Sequence, residues 1–305
     1  MSLVVSPVTP EFAAEVWGIE LGRPLEPGTL DAIKSAFWRY SVLIFPDQSL
    51  TQEQHVAFAA GFGPLERSIL KQAVNDTPLR VREDIADVSN LDHRDQIWGE
   101  DSRLRGLQLG NRLWHTDSSF KHTPALCSLL YAREIPPVGG QTEFADQRAA
   151  YDALPEARKA ELAGRVAWHS LMYSRNRMGY VRWNEEERKA LAPVPQVLVR
   201  TIPQNGRKSL YVPSHAGPIE GMDDAEARAL IDELRAHAGQ RQFVYHHRWR
   251  TADLVMWDNR CTQHRGLPFD DLRLRRDMHR ATVADVANTC VQEGVALPQI
   301  KAIPA

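Results

Sequence analysis

Apolar positions along the chain fall into short continuous runs and into repeats at helical spacing. Residues 41–45 and 126–132 are continuous apolar runs of strand length, and residues 243–245, 253–257 and 278–283 are further strand-like segments. Helical spacing predicts a helix from about residue 29 and another over residues 223–238. Thr51 and Gln54 fit a capping box, which predicts a helix that starts there.

Strand signals dominate the middle and the end of the chain, and helices are inserted between them. Asn205-Gly206 between two apolar runs is typical of a β-hairpin. The order predicts an α+β protein, with residues 1–305 as a single domain on an antiparallel sandwich or jelly roll. Residues 66–110 carry dense charge and weak periodicity, so we expect an active-site loop with one strand near residues 84–90.

Composition narrows the class of protein. The 305 residues are 43% hydrophobic and 25% charged, and a net charge of −2 gives no reason to expect nucleic-acid binding. No run approaches the length of a membrane span, and the first residues lack the basic start of a signal peptide. Three scattered cysteines are too few for a disulfide framework, which favours a reduced, cytoplasmic protein.

His115 and Asp117 are the first candidates for chemistry. On an extended strand, positions two apart face the same way with Cα atoms roughly 6.5–7 Å apart, so both side chains can reach one metal ion. His264 follows an apolar strand and a turn, which would present it at a sheet edge. Two histidines and one carboxylate form the facial arrangement that leaves positions open on iron(II).

A basic segment near the C-terminus indicates that the site also binds anions. On the strand predicted there, Arg276 and Arg280 share one face. A guanidinium on the inner face of a sheet needs an anion, and its planar fork matches a carboxylate. The segment therefore predicts two carboxylates near the metal, one from a cosubstrate and one from a substrate. A solvated basic face is the alternative.

Four motifs together resemble the taurine dioxygenase family of Fe(II)/2-oxoglutarate-dependent enzymes. They are HTD at 115–117, GGQTEFAD at 139–146, WDNRCTQHR at 257–265 and RRDMHRAT at 275–282. The likeness runs from about residue 5 to residue 285 in the order and spacing of the family. Within it, the chain is most similar to the branch that acts on 2,4-dichlorophenoxyacetate and related aryloxyalkanoates, through FGPLE at 62–66, AAYDALP at 149–155, FVY at 243–245 and HRW at 247–249.

The resemblance implies a double-stranded β-helix, or jelly-roll, core and a set of site residues. The family's iron ligands correspond to His115, Asp117 and His264, and 2-oxoglutarate would chelate that iron. Its distal carboxylate would pair with Arg276 and with the hydroxyl of Thr142. Fe(II), 2-oxoglutarate and O₂ are the implied cofactor and cosubstrates.

The residues predicted to bind the substrate are less specific to the family. Arg280 stands where the family binds the anionic group of its substrate. Lys71 replaces the histidine that taurine-type members have near this position, and it would clamp a carboxylate with Arg280 or lie exposed on a loop. Ser119, two residues beyond Asp117 on the same face of the predicted strand, would contact substrate or satisfy local main chain. Asn111 would position 2-oxoglutarate or substrate.

The resemblance implies oxidative cleavage of an aryloxyacetate to a phenol and glyoxylate, with release of succinate and CO₂. Within the family, the alternative is an alkylsulfonate or alkylsulfate dioxygenase. From other classes, a metal-binding jelly roll without oxidative chemistry and a zinc hydrolase would use the same three ligands. A small anionic substrate and assembly into a homo-oligomer, from dimer to tetramer, complete the expectations.

Overall fold

The computed structural model describes residues 3–67, 80–180 and 183–299. Its largest layer is a seven-stranded sheet in which neighbouring strands run antiparallel, except for one parallel pair between its second and third strands. In spatial order the strands are β1 (Val4–Pro7), β2 (Ala13–Trp17), β3 (Val42–Phe45), β13 (Leu254–Asp258), β5 (Ala125–Glu134), β15 (Asp277–Ala284) and β4 (Ile85–Asp87).

Three smaller antiparallel sheets complete the β-structure of the described chain. The minor sheet consists of β12 (Val244–His247), β6 (Thr142–Asp146) and β14 (Thr262–Gly266), with β6 in the centre. A second three-stranded sheet contains β11 (Ala216–Ile219), β7 (Val166–His169) and β8 (Val194–Val197). The hairpin predicted around Asn205-Gly206 is confirmed as β9 (Val199–Thr201) and β10 (Lys208–Leu210).

Helices connect and cover these sheets, and the predicted α+β class is confirmed. Among the described helices, none is long and apolar enough to cross a membrane. Two short 3₁₀ segments lie at Gly110–Arg112 and Arg241–Phe243. The α-helices are α1 (Thr29–Tyr40), α2 (Gln52–Ala60), α3 (Arg103–Leu109), α4 (Gln147–Asp152), α5 (Glu156–Leu162), α6 (Leu171–Asn176), α7 (Glu185–Ala190), α8 (Asp224–Ala238) and α9 (Thr289–Gln292).

An apolar layer joins the seven-stranded sheet to the minor sheet. Phe144 of β6 packs on Trp257 of β13 with ring centroids 5.5 Å apart, and Met278 of β15 belongs to the same buried cluster. A separate cluster packs α1 and α2 against the opposite face of the large sheet. Both faces of the large sheet are therefore covered. A site can form at the end of the gap between this sheet and the minor sheet.

The region 66–110 differs in part from its prediction. The expected strand is present as β4, but helix α3 and a 3₁₀ turn follow where a loop was predicted. Only Leu107 of α3 is buried, so the helix has no apolar stripe that a sequence pattern could detect. Its start is set by Ser102, whose hydroxyl accepts a hydrogen bond from the main chain of Arg105.

Candidate metal centre and ligand cavities

His115 and His264 are brought together by their main chains. His264 lies on β14 at the edge of the minor sheet, as predicted, and its N–H and carbonyl pair with those of His115 at 2.8 and 3.0 Å. The predicted strand does not continue beyond this bridge. Residues 117–120 form a turn in which Ser118 has a φ of 53°, so the expected strand alternation between Asp117 and Ser119 is wrong.

The three predicted ligand side chains converge in spite of the turn. One potential ligand atom from each of His115, Asp117 and His264 lies within 4.8 Å of the other two, and all three residues are buried. Nδ1 of His115 donates to the carbonyl of Leu113 at 2.8 Å, which leaves the lone pair of Nε2 for a metal. Nε2 of His264 is 3.8 Å from a carboxylate oxygen of Asp117. The donor set therefore fits a divalent transition metal with open positions.

The electrostatics of the three side chains suit ligation. Burial disfavours the charged form of Asp117, but Arg280 and the two histidines outweigh burial and lower its pKa to about 2. Burial lowers the pKa of His115 to about 4, although Asp117 opposes the shift. Burial, and then the neighbouring His115, hold the pKa of His264 well below its usual range. At neutral pH the site offers one carboxylate and two neutral imidazoles, the protonation states that metal binding requires.

A buried polar network, missed by sequence reasoning, orients the carboxylate. Ser128 on β5 donates its hydroxyl to Asp117 at 2.7 Å and accepts from Nδ2 of Asn259 at 2.9 Å. The Asn259 carbonyl oxygen accepts from the main chain of Asp117 and from the indole of Trp257. Trp257 also packs against the His264 ring at 4.6 Å. Ser128 lies inside an apolar strand, so its sequence context gave no signal of this role.

The first cavity lies beside the candidate metal ligands and has a volume of about 820 Å³, including its open mouth. Its wall includes Thr142, Asn111, Arg276 and Arg280 together with His115 and His264. The two arginines that were predicted to share a strand face thus line one cavity, although Arg276 precedes the first residue of β15. The hydroxyl of Thr142 accepts a hydrogen bond from Nε1 of Trp249 at 3.0 Å and keeps its own proton to donate.

Arg276 has no carboxylate partner in the described chain. Its guanidinium donates to the carbonyl of Val88 at 3.2 Å, and its main-chain N–H donates to the side chain of Asn90. Burial lowers its pKa to about 10, so it stays charged at neutral pH. A partly buried guanidinium without a carboxylate partner, in a cavity wall, is suited to bind an anionic ligand.

A second cavity opens on the other side of Arg280, which lines both. One guanidinium nitrogen of Arg280 donates to the carboxylate of Asp117, while Nε has no partner in the described chain. Asn111 also borders both cavities. Ser119 is fully buried, and its hydroxyl lies 3.0 Å from Nδ1 of His215, a residue of the second cavity wall. Lys71 lies outside the described residues.

Two cavity residues were not singled out from the sequence. His215 lacks a ligand-type neighbour in the sequence, and Arg175 lies in a polar segment without a motif. Both become neighbours of His115 only in the fold, where the rings of His115 and His215 are 6.2 Å apart. Arg175 lines the second cavity together with His115 and Asp117, which places it near the candidate metal ligands.

Comparison with known proteins supports a functional interpretation of this geometry. The profile described as "Taurine catabolism dioxygenase TauD, TfdA family" matches residues 5–282. An alpha-ketoglutarate-dependent 2,4-dichlorophenoxyacetate dioxygenase of Cupriavidus pinatubonensis is 45% identical over 288 residues, which cover 94% of this chain and 99% of the relative. A relative of the same name from Burkholderia sp. (strain RASC) is 42% identical over 283 residues, covering 92% of this chain and 94% of the relative.

The fold agrees with that of a solved structure. A crystal structure of AAD-2 in complex with Mn(II) and N-oxalylglycine superimposes with a TM-score of 0.86 at 46% identity, covering 95% of this chain and 99% of that chain. The predicted jelly-roll core is thereby confirmed. With a family profile that spans most of its length and relatives above 40% identity, the chain belongs to the TauD/TfdA family of taurine catabolism dioxygenases.

Proposed function

We propose that the protein is an Fe(II)- and 2-oxoglutarate-dependent dioxygenase that cleaves aryloxyacetates such as 2,4-dichlorophenoxyacetate. The observation that carries this proposal is a buried pair of histidines with one carboxylate, next to a cavity whose wall contains an uncompensated guanidinium. Two of the relatives, 45% and 42% identical, support it, since their names are those of 2,4-dichlorophenoxyacetate dioxygenases.

His115, Asp117 and His264 would hold the metal. Thr142 and Arg276 would bind the distal carboxylate of 2-oxoglutarate in the first cavity, and Asn111 would help to position that ligand or the substrate. When bound, iron(II) and 2-oxoglutarate supply the O₂ activation that the side chains of the protein cannot perform. The side chains orient both substrates and exclude bulk water.

The substrate's carboxylate would approach from the second cavity. Arg280 is the principal partner, because it borders both cavities and its Nε is free to donate. Once a metal neutralises Asp117, the guanidinium of Arg280 is available to an external anion. Lys71, which lies outside the described residues, would be a second partner of this carboxylate. Ser119 would act through His215 rather than by direct contact, since its hydroxyl faces that imidazole.

The reaction places a hydroxyl group on the carbon between the ether oxygen and the carboxylate. One atom of O₂ enters that hydroxyl and the other enters succinate, which forms from 2-oxoglutarate with loss of CO₂. The product is a hemiacetal. Its bond to the aryl oxygen breaks, the phenol takes the hydroxyl proton, and glyoxylate remains.

Turnover assays test this function. With Fe(II), 2-oxoglutarate and O₂, we expect 2,4-dichlorophenoxyacetate to release succinate and 2,4-dichlorophenol in equal amounts. Taurine and an alkyl sulfate serve as competing substrates, since they would be preferred by a sulfonate or sulfate ester dioxygenase. Absence of 2,4-dichlorophenoxyacetate-dependent succinate would reject the aryloxyacetate assignment.

The alternatives from other classes lack support. A zinc hydrolase or a metal-binding jelly roll without oxidative chemistry does not need a guanidinium without a carboxylate partner in the cavity beside the metal ligands. The relatives above 40% identity are oxygenases whose names specify alpha-ketoglutarate.

The hydroxyl of Ser128 provides a test of the metal centre. We expect Ser128→Ala to weaken Mn(II) or Fe(II) binding by about 10- to 100-fold, because Asp117 loses the donor that fixes its carboxylate. Calorimetric titration with Mn(II) measures the change. Ser35→Ala is the matched control, since that exposed hydroxyl donates only to a carbonyl of its own helix. Unchanged affinity in Ser128→Ala would show that the network does not position the ligand.

We also propose that residues 1–305 form one domain, working in the cytoplasm as a homo-oligomer of two to four chains. Cys127, Cys261 and Cys290 are buried and unpaired, as expected in a reducing compartment. The oligomer rests on analogy within the family. Light scattering coupled to gel filtration measures the number of chains.

A further inference from the structure

Arg175 is a buried guanidinium in the second cavity wall. It extends from α6, with its Nε donating to the carbonyl of Leu107 at 3.0 Å. One terminal nitrogen donates to Ser174 at 3.2 Å and the other to the side-chain oxygen of Asn111 at 3.0 Å. A guanidinium carries five N–H groups, so these three neutral acceptors leave donors for a ligand.

The charge of Arg175 is not balanced by an ion pair within the described chain. The residue is 6% exposed, and each of its three acceptors is neutral. Burial lowers its pKa to about 10, although Asp117 opposes the shift, so the group remains charged at neutral pH. Two other cations of the same wall differ in this respect, because Lys121 pairs with Glu66 at 2.5 Å and Arg280 pairs with Asp117.

The main chain is shaped around this guanidinium. A Cβ placed on Gly110 would lie 2.2 Å from Nε of Arg175, so only glycine allows the side chain to pass. An unbalanced buried charge destabilises a fold unless another group compensates it. An anion that binds beside Arg175 would supply this compensation.

The two cavities separate Arg276 from Arg175, neither of which has a carboxylate partner in the described chain. Arg276 lines the first cavity, whereas Arg175 lines the second. Arg280 borders both and lies beside Asp117. An anion in the second cavity would therefore meet Arg175 and Arg280, while Arg276 remains available to a different carboxylate in the first.

We propose that Arg175 binds the substrate's carboxylate in the second cavity, sharing it with Arg280, and so selects acids over neutral analogues. The inference rests on the proposed function for the identity of its ligand. The inference adds a specificity-determining residue from α6. It also gives a role to the hydrogen bond between Arg175 and Asn111, in which the amide oxygen of Asn111 faces the guanidinium and the N–H₂ group of Asn111 points away from it.

Binding without turnover provides the test. The protein is loaded with Mn(II) and N-oxalylglycine and titrated calorimetrically with 2,4-dichlorophenoxyacetate and with its neutral primary amide. We expect Arg175→Gln and Arg175→Met to reduce the preference for the acid over the amide by about 10- to 100-fold, the effect of one charge-assisted hydrogen bond. Arg177→Gln is the control, because Arg177 on the same segment pairs with Asp232 at the surface.

Each outcome decides the question. Equal weakening of acid and amide, or an unchanged preference, would assign Arg175 a purely structural role and overturn the inference. Arg175→Met removes an unbalanced charge at similar volume, so a folded variant is expected, and its failure to fold would also contradict the argument. If the acid binds without succinate release, only the proposed reaction fails. If wild-type protein does not bind the acid, both proposals fail.

Discussion

His115→Ala should lose tight metal binding and at least about 10³-fold in substrate-dependent succinate release. The variant removes one of three ligands and leaves Asp117 and His264 too few to hold a divalent ion firmly. The loss of affinity should exceed the roughly 10- to 100-fold change typical of an outer-sphere substitution. Metal analysis after dialysis, together with succinate measurement, records both effects.

His122→Ala is the matched control for this experiment. His122 is exposed, and its contact with Asn288 uses a main-chain carbonyl that alanine retains. Its metal content and activity should equal those of the wild type. Full activity in His115→Ala would refute the assignment of the metal site. Full metal content with lost activity would mean that His115 acts in another way.

The sequence was sufficient for the parts of the site that strand geometry and motifs define. Arg276 and Arg280 were expected on one face, and they line one cavity. His264 was expected at a sheet edge, and β14 is an edge strand of the minor sheet. Both expectations depend only on alternation along a strand and on the turn that precedes β14, which are local properties.

The rest depends on contacts between distant segments. Ser119 was expected to share a strand face with Asp117, but the positive φ of Ser118 turns the chain and directs Ser119 to His215. Arg175 reaches the site by passing Gly110, 65 positions earlier in the chain. Neither a turn at a non-glycine residue nor a close approach of this kind leaves a periodic signal.

Arg175 and Arg276, which lack a carboxylate partner in the described chain, should affect the stability of the fold differently from arginines in ion pairs. A buried cation without an anionic partner weakens the apo protein, so its removal should not destabilise the fold as loss of a paired charge would. A residue of this kind acts chiefly through ligand binding, because the ligand supplies the missing charge. Stability measured with and without ligand therefore separates a binding role from a packing role.

Arg276→Met should weaken 2-oxoglutarate binding by about 2–4 kcal/mol, roughly 30- to 1000-fold, and leave the unfolding free energy of the apo protein within about 1 kcal/mol of wild type. The substitution removes a partly desolvated charge that has no carboxylate partner in the described chain, and it also removes one hydrogen bond to Val88. Calorimetric titration of the Mn(II)-loaded protein and denaturant unfolding measure the two quantities. Arg273→Met is the control, since that side chain is 85% exposed.

A ligand without the distal carboxylate completes the Arg276 experiment. 2-Oxopentanoate retains the 2-oxo acid end, so it should bind wild type about as weakly as Arg276→Met binds 2-oxoglutarate. Combining the variant with this ligand should add little further loss, because the same interaction has already been removed. Additive losses would show that Arg276 acts elsewhere, and the dicarboxylate would then need another partner. Strong coupling would show that the guanidinium binds the distal carboxylate, which explains a positive charge without a carboxylate partner in a cavity wall that also contains two histidines.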